Sequence, residues 1–304
     1  IGIAPFDGNQ TSVGELLKQA DLAMYQAKTA GRNTLRFFNP DMQAVVTARA
    51  ELEENLRLAL SRDELLLHYQ PQVNQGGECV GVEALVRWAH PQQGQISPAQ
   101  FIPLAEETGL ILPLGRWVLH TACKMLARWQ DEPAFAHLTM AVNVSSRQFR
   151  NETFVDDVAR VLAITGAPAS KLKLELTESV LVEDMEATIA TMQALGRHGV
   201  GFALDDFGTG YSSLSYLKRM PLNQLKIDQS FVRDLLTDPN DAAIVDTIIA
   251  LARSMGLQVI AEGVETPEQS DLLGRAGCHF YQGYLFSHPL STERLEAFLR
   301  LPST

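Results

Sequence analysis

The sequence predicts an α/β protein built on a (β/α)8, TIM-like barrel whose first strand runs antiparallel to its neighbour. Three observations carry this reading. Eight short apolar runs of strand length recur between residue 64 and the C-terminal end. Helical stretches fill every gap between them except the first, and polar residues fall at the ends of successive runs at intervals that fit βα steps. A doubly wound open sheet shows the same alternation and stays open as the alternative.

The bulk numbers set the frame. The chain has 304 residues, 46% hydrophobic and 20% charged, enough for one large domain or two smaller ones with a sizeable core. A formal net charge of −11 argues against a nucleic-acid polymer or a membrane surface as partner, because no basic surplus neutralises phosphates. An anionic substrate stays open if bound metal reverses the sign locally. Cys79, Cys123 and Cys278 form no CxxC pair, so buried thiols in a reducing, cytoplasmic setting are expected. No apolar run reaches membrane-spanning length and no signal peptide is visible. The chain starts at Ile1 and not at Met, so a piece of a longer protein is expected, one that an upstream segment could tether to a membrane.

In order, residues 1–4 read as the end of a strand. Ser12-Val13-Gly14-Glu15 is a capping box opening a helix, with an apolar stripe through Val13, Leu16, Leu17, Ala20, Ala23, Met24 and Ala27, and Gly31 closes it. Residues 34–38 form a second short strand. One helix and two strand fragments cannot bury a core alone, so residues 1–39 read as the remnant of a domain. Residues 40–62 then read as one helix, because Val45, Ala48, Leu52, Leu56 and Ala59 follow steps of three or four. It is either a helix docked on the next domain or a linker that signals between domains.

From residue 63 to about 301 the barrel pattern holds. The strand runs are 65–69, 80–86, 139–144, 172–176, 200–204, 224–227, 258–261 and 278–281. A short turn at Asn74-Gln75-Gly76-Gly77 joins the first two as an antiparallel hairpin. Helices are expected at 98–107, 114–130, 154–165, 185–198, 212–218, 241–255 and 267–274.

In such barrels, function gathers at the C-terminal ends of the strands. The polar residues there are Glu83, Asn143, Glu175, Asp205 with Asp206, Lys226, Glu262 and Gln282. Successive intervals are 60, 32, 30, 21, 36 and 20 residues; the first spans two helices and each other one fits a single βα step. Adjacent Asp205 and Asp206 point to opposite faces of a strand, so they can share a site only if the strand ends between them. Five carboxylates and one amide converging on one mouth demand cations, and an all-oxygen set suits one or two Mg²⁺ or Mn²⁺ ions. Zinc is disfavoured, since no histidine has ligand spacing and His68, His90 and His198 read as structural or exposed. Lys226, the only base in the ring, either neutralises the acids or assists a metal-bound water. Arg87, four residues past Glu83, either clamps a phosphate or makes a surface ion pair.

Two resemblances follow. Ala20-Asp21-Leu22-Ala23-Met24-Tyr25-Gln26-Ala27-Lys28 with Gly31-Arg32-Asn33 resembles the C-terminal end of GGDEF (diguanylate cyclase-type) domains, whose naming motif would lie before Ile1. Glu83-Ala84-Leu85-Val86-Arg87-Trp88 resembles the signature of EAL-domain cyclic diguanylate phosphodiesterases. Further matches are Tyr69-Gln70-Pro71, Asn143-Val144-Ser145, Glu175-Leu176-Thr177-Glu178, the 205–213 stretch, Leu225-Lys226-Ile227-Asp228, Ala261-Glu262-Gly263-Val264-Glu265 and Gln282-Gly283-Tyr284. The resemblance implies metal-dependent hydrolysis of cyclic di-GMP to linear pGpG in bacterial second-messenger signalling. It implies two Mg²⁺ or Mn²⁺ ions held by Glu83, Asn143, Glu175, Asp205, Asp206 and Glu262, and a catalytic role for Lys226 beside Glu83 and Glu262. Glu178 would anchor the 205–213 loop. Gln70, Leu85, Arg87, Asp228, Glu265 and Gln282 would contact substrate or support residues that do. It also implies a homodimer and GGDEF or sensor domains upstream. The interval from Gln70 to Glu83 is one residue shorter than the family's. A catalytically silent dinucleotide receptor and an enolase-like barrel are the competing readings; the intact acids disfavour the first and the lack of a second lysine in the ring disfavours the second.

Overall fold

The computed structural model describes all residues except 7, 9–11, 30, 32, 182–183, 210–213 and 301–304. Arg32 of the GGDEF-like motif, residues 210–213 of the expected loop and the start of the expected 212–218 helix lie outside the described residues, as does Leu301. Two compact units divide the chain at Ser61/Arg62.

The first unit holds β1 (Gly2–Ile3), α1 (Val13–Thr29), β2 (Arg36–Phe37) and α2 (Pro40–Ala59). Ser12 caps α1 by accepting the Glu15 N–H at 3.2 Å. The expected apolar stripe of α1 is buried at Ala23 and Ala27, while Val13 and Leu17 are exposed. β1 and β2 pair in parallel. Asn39 caps α2 by accepting the Asp41 N–H, and Pro40 opens it at a position whose missing N–H costs no intrahelical bond. Of the seam on α2, only Leu56 and Ala59 are buried.

The second unit is a closed barrel. Its strands are β3 (Leu65–Asn74), β4 (Cys79–His90), β6 (Thr139–Asn143), β7 (Leu172–Thr177), β8 (Gly201–Phe207), β9 (Gln224–Ile227), β10 (Gln258–Ala261) and β11 (Phe280–Tyr281), with β5 (Gly94–Ile96) outside the ring. Pairing runs β3-β11-β10-β9-β8-β7-β6-β4 and returns to β3, which excludes the open sheet. β3 is antiparallel to both neighbours, and all other pairs in the ring are parallel. The hairpin turn closes with the Gly77 N–H on the Asn74 carbonyl. The surrounding helices are α3 (Pro98–Thr108), α4 (Ile111–Trp129), α5 (Ser146–Phe149), α6 (Phe154–Thr165), α7 (Met185–Arg197), α8 (Leu214–Leu217), α9 (Gln229–Arg233), α10 (Pro239–Met255), α11 (Pro267–Ala276) and α12 (Thr292–Arg300).

The core lies between strands and helices. Val82, Leu174, Phe202, Leu225 and Val259 on the strands are buried, as are Leu119, Val158, Met192 and Ile249 on the helices. Helix ends are marked where the sequence supplies the chemistry: Gly109, Gly166, Gly256 and Gly277 take left-handed conformations at C-caps, where a Cβ would be penalised. His90 is buried and its Nδ1 accepts the Gln92 and Gln93 N–H groups, a structural role. No helix among the described residues is long and apolar enough to cross a membrane.

Candidate active site

The mouth of the barrel is built by register. Gln70 on β3 sits opposite Glu83 on β4, Asn143 on β6 pairs with Glu175 on β7, and Thr177 with Asp205 on β8. Lys226 on β9 lies beside Ile260 of β10, and Glu262 follows the last residue of that strand. Because inward positions alternate along a strand, these side chains share one interior.

Lys226 is their centre. It is 1% exposed, and its ammonium lies 2.6 Å from Glu262 Oε1, 2.7 Å from Glu175 Oε2, 3.0 Å from Asp205 Oδ1 and 3.7 Å from Glu83 Oε2. Burial alone would drive such an amine neutral, yet these carboxylates hold its pKa well above the ordinary lysine value. Glu83 resists protonation for a related reason: burial pushes its pKa up, but Lys226 and donated amide hydrogen bonds outweigh it and the net shift is downward. Its Oε1 accepts from Asn143 Nδ2 at 2.6 Å and its Oε2 from Gln282 Nε2.

The other acids share one cation among several charges. Burial, with Glu83, Asp205 and Glu262 nearby, raises Glu175 well above the carboxylate range despite Lys226. Burial also lifts Glu262 to about 8, against the pull of Lys226, with Asp205 and Glu83 adding to the rise. Asp206 reaches about 6 through burial and the adjacent Asp205. Charge is therefore incompletely balanced by the protein's own groups. Glu175 Oε1 is buried with no hydrogen-bond partner among the described residues, an arrangement that costs about 1–3 kcal/mol or more unless something else meets it. Asp205, Asp206 and Glu262 each offer an oxygen, all within 4.8 Å of one another. An orphaned carboxylate oxygen, a set of oxygen donors only and raised carboxylate pKa values together fit hard divalent cations.

One expectation about Asp205 and Asp206 is corrected. The strand does not end between them: β8 runs on to Phe207. Instead its pairing with β9 slips between Leu204 and Phe207, and Asp206 takes φ +52. A bulge with a left-handed residue breaks the strict two-face alternation, and short Asp tolerates that conformation better than most residues. The Asp206 N–H returns to Asp205 Oδ1 at 3.0 Å.

The segment just after is tied down by Glu178, the residue that follows β7. Glu178 Oε1 accepts the Gly208 N–H at 2.9 Å. Gly208 has φ +102, and a Cβ there would lie 3.0 Å from the Phe231 ring, so glycine is required on both counts. Glu178 Oε2 is buried with no hydrogen-bond partner among the described residues. Thr209 Oγ1 donates to the Asp206 carbonyl at 2.8 Å, closing the turn.

The remaining predicted residues fall in three places. Gln70, Leu85, Glu265 and Gln282 line a cleft of about 250 Å³ over the acids. Gln70 Oε1 accepts from Gln282 Nε2 at 3.2 Å, and Gln70 Nε2 donates to the Ser287 carbonyl. Asp228 caps α9 by accepting the Ser230 N–H, and burial is outweighed there by hydrogen bonds from Ser230, so its pKa is lowered. Arg87 donates to the Val86 carbonyl and lines an adjoining, more apolar cavity of about 370 Å³ against α3 and α4. Sequence reasoning missed Gln229 and Gln72. Gln229 lines the cleft from the start of α9. Gln72 donates to Gln282 Oε1 at 3.0 Å; its place two residues after Gln70, on the same face of β3, was the available signal.

A closed (β/α)8 barrel with an antiparallel entry strand, carrying an acid ring around one buried lysine, defines a site of oxygen donors suited to hard cations. The chain belongs to the EAL domain family, whose profile matches residues 53–289. Among curated proteins it is similar to the bifunctional diguanylate cyclase/cyclic di-GMP phosphodiesterase MucR of Pseudomonas aeruginosa, 47% identical over 98% of this chain and 43% of MucR. The cyclic di-GMP phosphodiesterase NbdA of the same organism is 44% identical over 99% of this chain and 38% of NbdA. The chain thus spans less than half the length of these relatives. Among solved structures, the MucR phosphodiesterase in complex with c-di-GMP superposes with a TM-score of 0.78 at 48% identity, covering 81% of this chain and 99% of that one.

Proposed function

We propose that this chain is a divalent-metal-dependent cyclic di-GMP phosphodiesterase that opens one phosphodiester to give linear pGpG. The single observation that carries the reading is the complete acid ring around Lys226, in a chain that is 44–47% identical to relatives named for that activity. Glu83, Asn143, Glu175, Asp205, Asp206 and Glu262 are the residues that would hold two Mg²⁺ or Mn²⁺ ions. Such ions, when bound, lower the pKa of water and stabilise charge developing on a phosphate.

The chain's own groups divide the remaining work. Lys226 keeps the acids from repelling one another apart and holds a proton at Nζ within 2.6–3.0 Å of three carboxylates, where it can orient the attacking water. Glu83 is kept ionised and fixed by Asn143 and Gln282. Glu178 positions the turn after Asp206 through the Gly208 N–H. Gln70, Leu85, Glu265 and Gln282 contact the dinucleotide in the cleft, Arg87 meets it from the adjoining cavity, and Asp228, which caps α9, supports the residues that do. Residues 1–39 are the end of a GGDEF-like domain, residues 40–62 the helix that couples it to the catalytic domain at 63–301, and the working form is a homodimer acting in the cytoplasm, with upstream sensor domains.

Incubation of the chain with cyclic di-GMP and Mg²⁺, with products separated by chromatography, tests the reading. Linear pGpG is expected. Tight binding of cyclic di-GMP with no product would make the chain a receptor and refute the enzyme.

A further inference from the structure

The barrel has a second opening. Opposite the acid ring, at the N-terminal ends of the strands, a cavity of about 500 Å³ is lined by residues from β3, β6, β7, β8, β9 and β10. It is larger than the cleft over the acids. Its charge is reversed: Lys171 and Lys173 line it, and no Asp or Glu does so among the described residues. In a chain with a net charge of −11, two ammonium groups without a carboxylate in the wall are unlike the protein's average surface.

The hydrogen bonds sharpen this. Lys173 Nζ donates to Gln224 Oε1 at 2.7 Å, the one hydrogen bond its ammonium makes among the described residues. That bond uses the oxygen of Gln224 and leaves its NH2. Asn223 Oδ1 accepts the Phe202 N–H at 2.7 Å, which likewise leaves the NH2 of Asn223. Each amide oxygen, already accepting one bond, keeps a single lone pair beside the two N–H donors of its NH2, and an ammonium has no acceptor at all. Lys173, Asn223 and Gln224 therefore present donors to one space. Gln72 does the opposite: its Nε2 goes to Gln282, so its Oε1 is the acceptor left at the edge. Glycines at 196, 199 and 201 line the cavity too, where no side chain competes for the room.

Lys171 Nζ donates to the His137 carbonyl at 2.9 Å, a bond that leaves two of its donors and supplies no counter-charge. Glu175 lies two residues along β7 from Lys173 and is committed to Lys226. We infer that the base of the barrel is a binding site for a small phosphate-bearing molecule, its phosphate taken by Lys171, Lys173 and the Asn223 and Gln224 amides, and a hydroxyl by Gln72 Oε1. The site is separate from the acid mouth and does not depend on the activity proposed there.

The test is an NMR titration of the ¹⁵N-labelled chain in EDTA, so that the acid mouth, lacking cations, repels the probe. The probes are inorganic phosphate, ribose 5-phosphate and ribose. Saturable shifts of the Gly199 and Gly201 amides with ribose 5-phosphate, and none with ribose, are expected. Tighter binding of the ester than of phosphate identifies a hydroxylated phosphate ester as the ligand; equal binding identifies free phosphate. Lys173→Gln should weaken binding roughly tenfold or more, as loss of a hydrogen bond to a charged group does. Lys171→Gln, at a half-buried position, serves the same purpose should the first variant fail to fold. Absence of saturation at about 20 mM, shifts confined to Gly263 at the mouth, or affinity unchanged in both folded variants would overturn the site.

Discussion

Replacing Lys226 with methionine removes the only cation from a ring of four carboxylates while keeping most of the side chain's volume. Breaking a buried ion pair by removing one partner costs about 3–5 kcal/mol, because the other charge is left uncompensated. In a unit spanning residues 62–304, each kcal/mol moves Tm by about 2–4 °C, so Lys226→Met should lower it by roughly 6–20 °C in EDTA at about pH 8. The sign of the pH dependence follows from the same charges. Without the ammonium, which lowers the pKa of Glu83, Glu175 and Glu262 against the effect of burial, the folded-state pKa values of these three carboxyls rise above their unfolded values. The folded state then binds more protons than the unfolded one, and stability falls as pH rises. The deficit against wild type should shrink as pH is lowered towards about 5. Thermal unfolding by circular dichroism at several pH values reads this directly. A loss of less than about 2 °C at pH 8, or one that does not vary with pH, would show that the acids do not depend on the lysine.

Three further outcomes are expected. Glu178→Ala leaves the Gly208 N–H without its acceptor, at a cost of about 1.5–3 kcal/mol; turnover should fall tenfold or more while Mn²⁺ affinity changes by less than about threefold, measured by steady-state kinetics beside calorimetry. Divalent cations must displace protons from Glu262, held up at about 8, and from Asp206, at about 6. Cation affinity should therefore rise between those two values, with proton release seen as a dependence of the calorimetric heat on buffer ionisation. The metal-free protein should lose stability over the span from about 4.5 to about 8, since Glu262 keeps its proton in the folded state after the unfolded chain has released it; urea midpoints across that range check the slope.

Much of the barrel was legible because its elements obey local rules. The runs at 224–227 and 258–261 and the helix at 154–165 return with the same bounds, each being apolar, periodic and bounded by breakers. The elements that escaped are those with weak local signals. β5 is three residues long and owes its existence to pairing with β4. α12 has the charged sequence TERLEAFLR and is held by Leu295, which is fully buried, and by Glu296, which meets Arg128 at 2.7 Å. Such long-range contacts are tertiary facts that no window of sequence contains.

The site divides in the same way. Which acids converge could be read from the βα interval, since barrel symmetry turns spacing into position. How Asp205 and Asp206 are aimed could not, because a bulge depends on the slip in register against β9 and the periodicity rule knows only alternating faces. Lys226 was placed in the ring, but its four-way sharing among Glu83, Glu175, Asp205 and Glu262 needed side-chain positions. Arg87 shows the limit of counting: being four residues beyond Glu83 brought it beside the cleft, onto the wall of the adjoining cavity.

The measurement that bears most directly on the cation-holding role of the mouth is anomalous diffraction from crystals of this chain grown with Mn²⁺. Manganese peaks should lie within bonding distance of Asp205, Asp206 and Glu262, and one should meet the otherwise unpartnered Glu175 Oε1. A map without anomalous density at the mouth, with Lys226 still bridging all four carboxylates at saturating Mn²⁺, would mean that the lysine alone balances the acids and that the ring is structural.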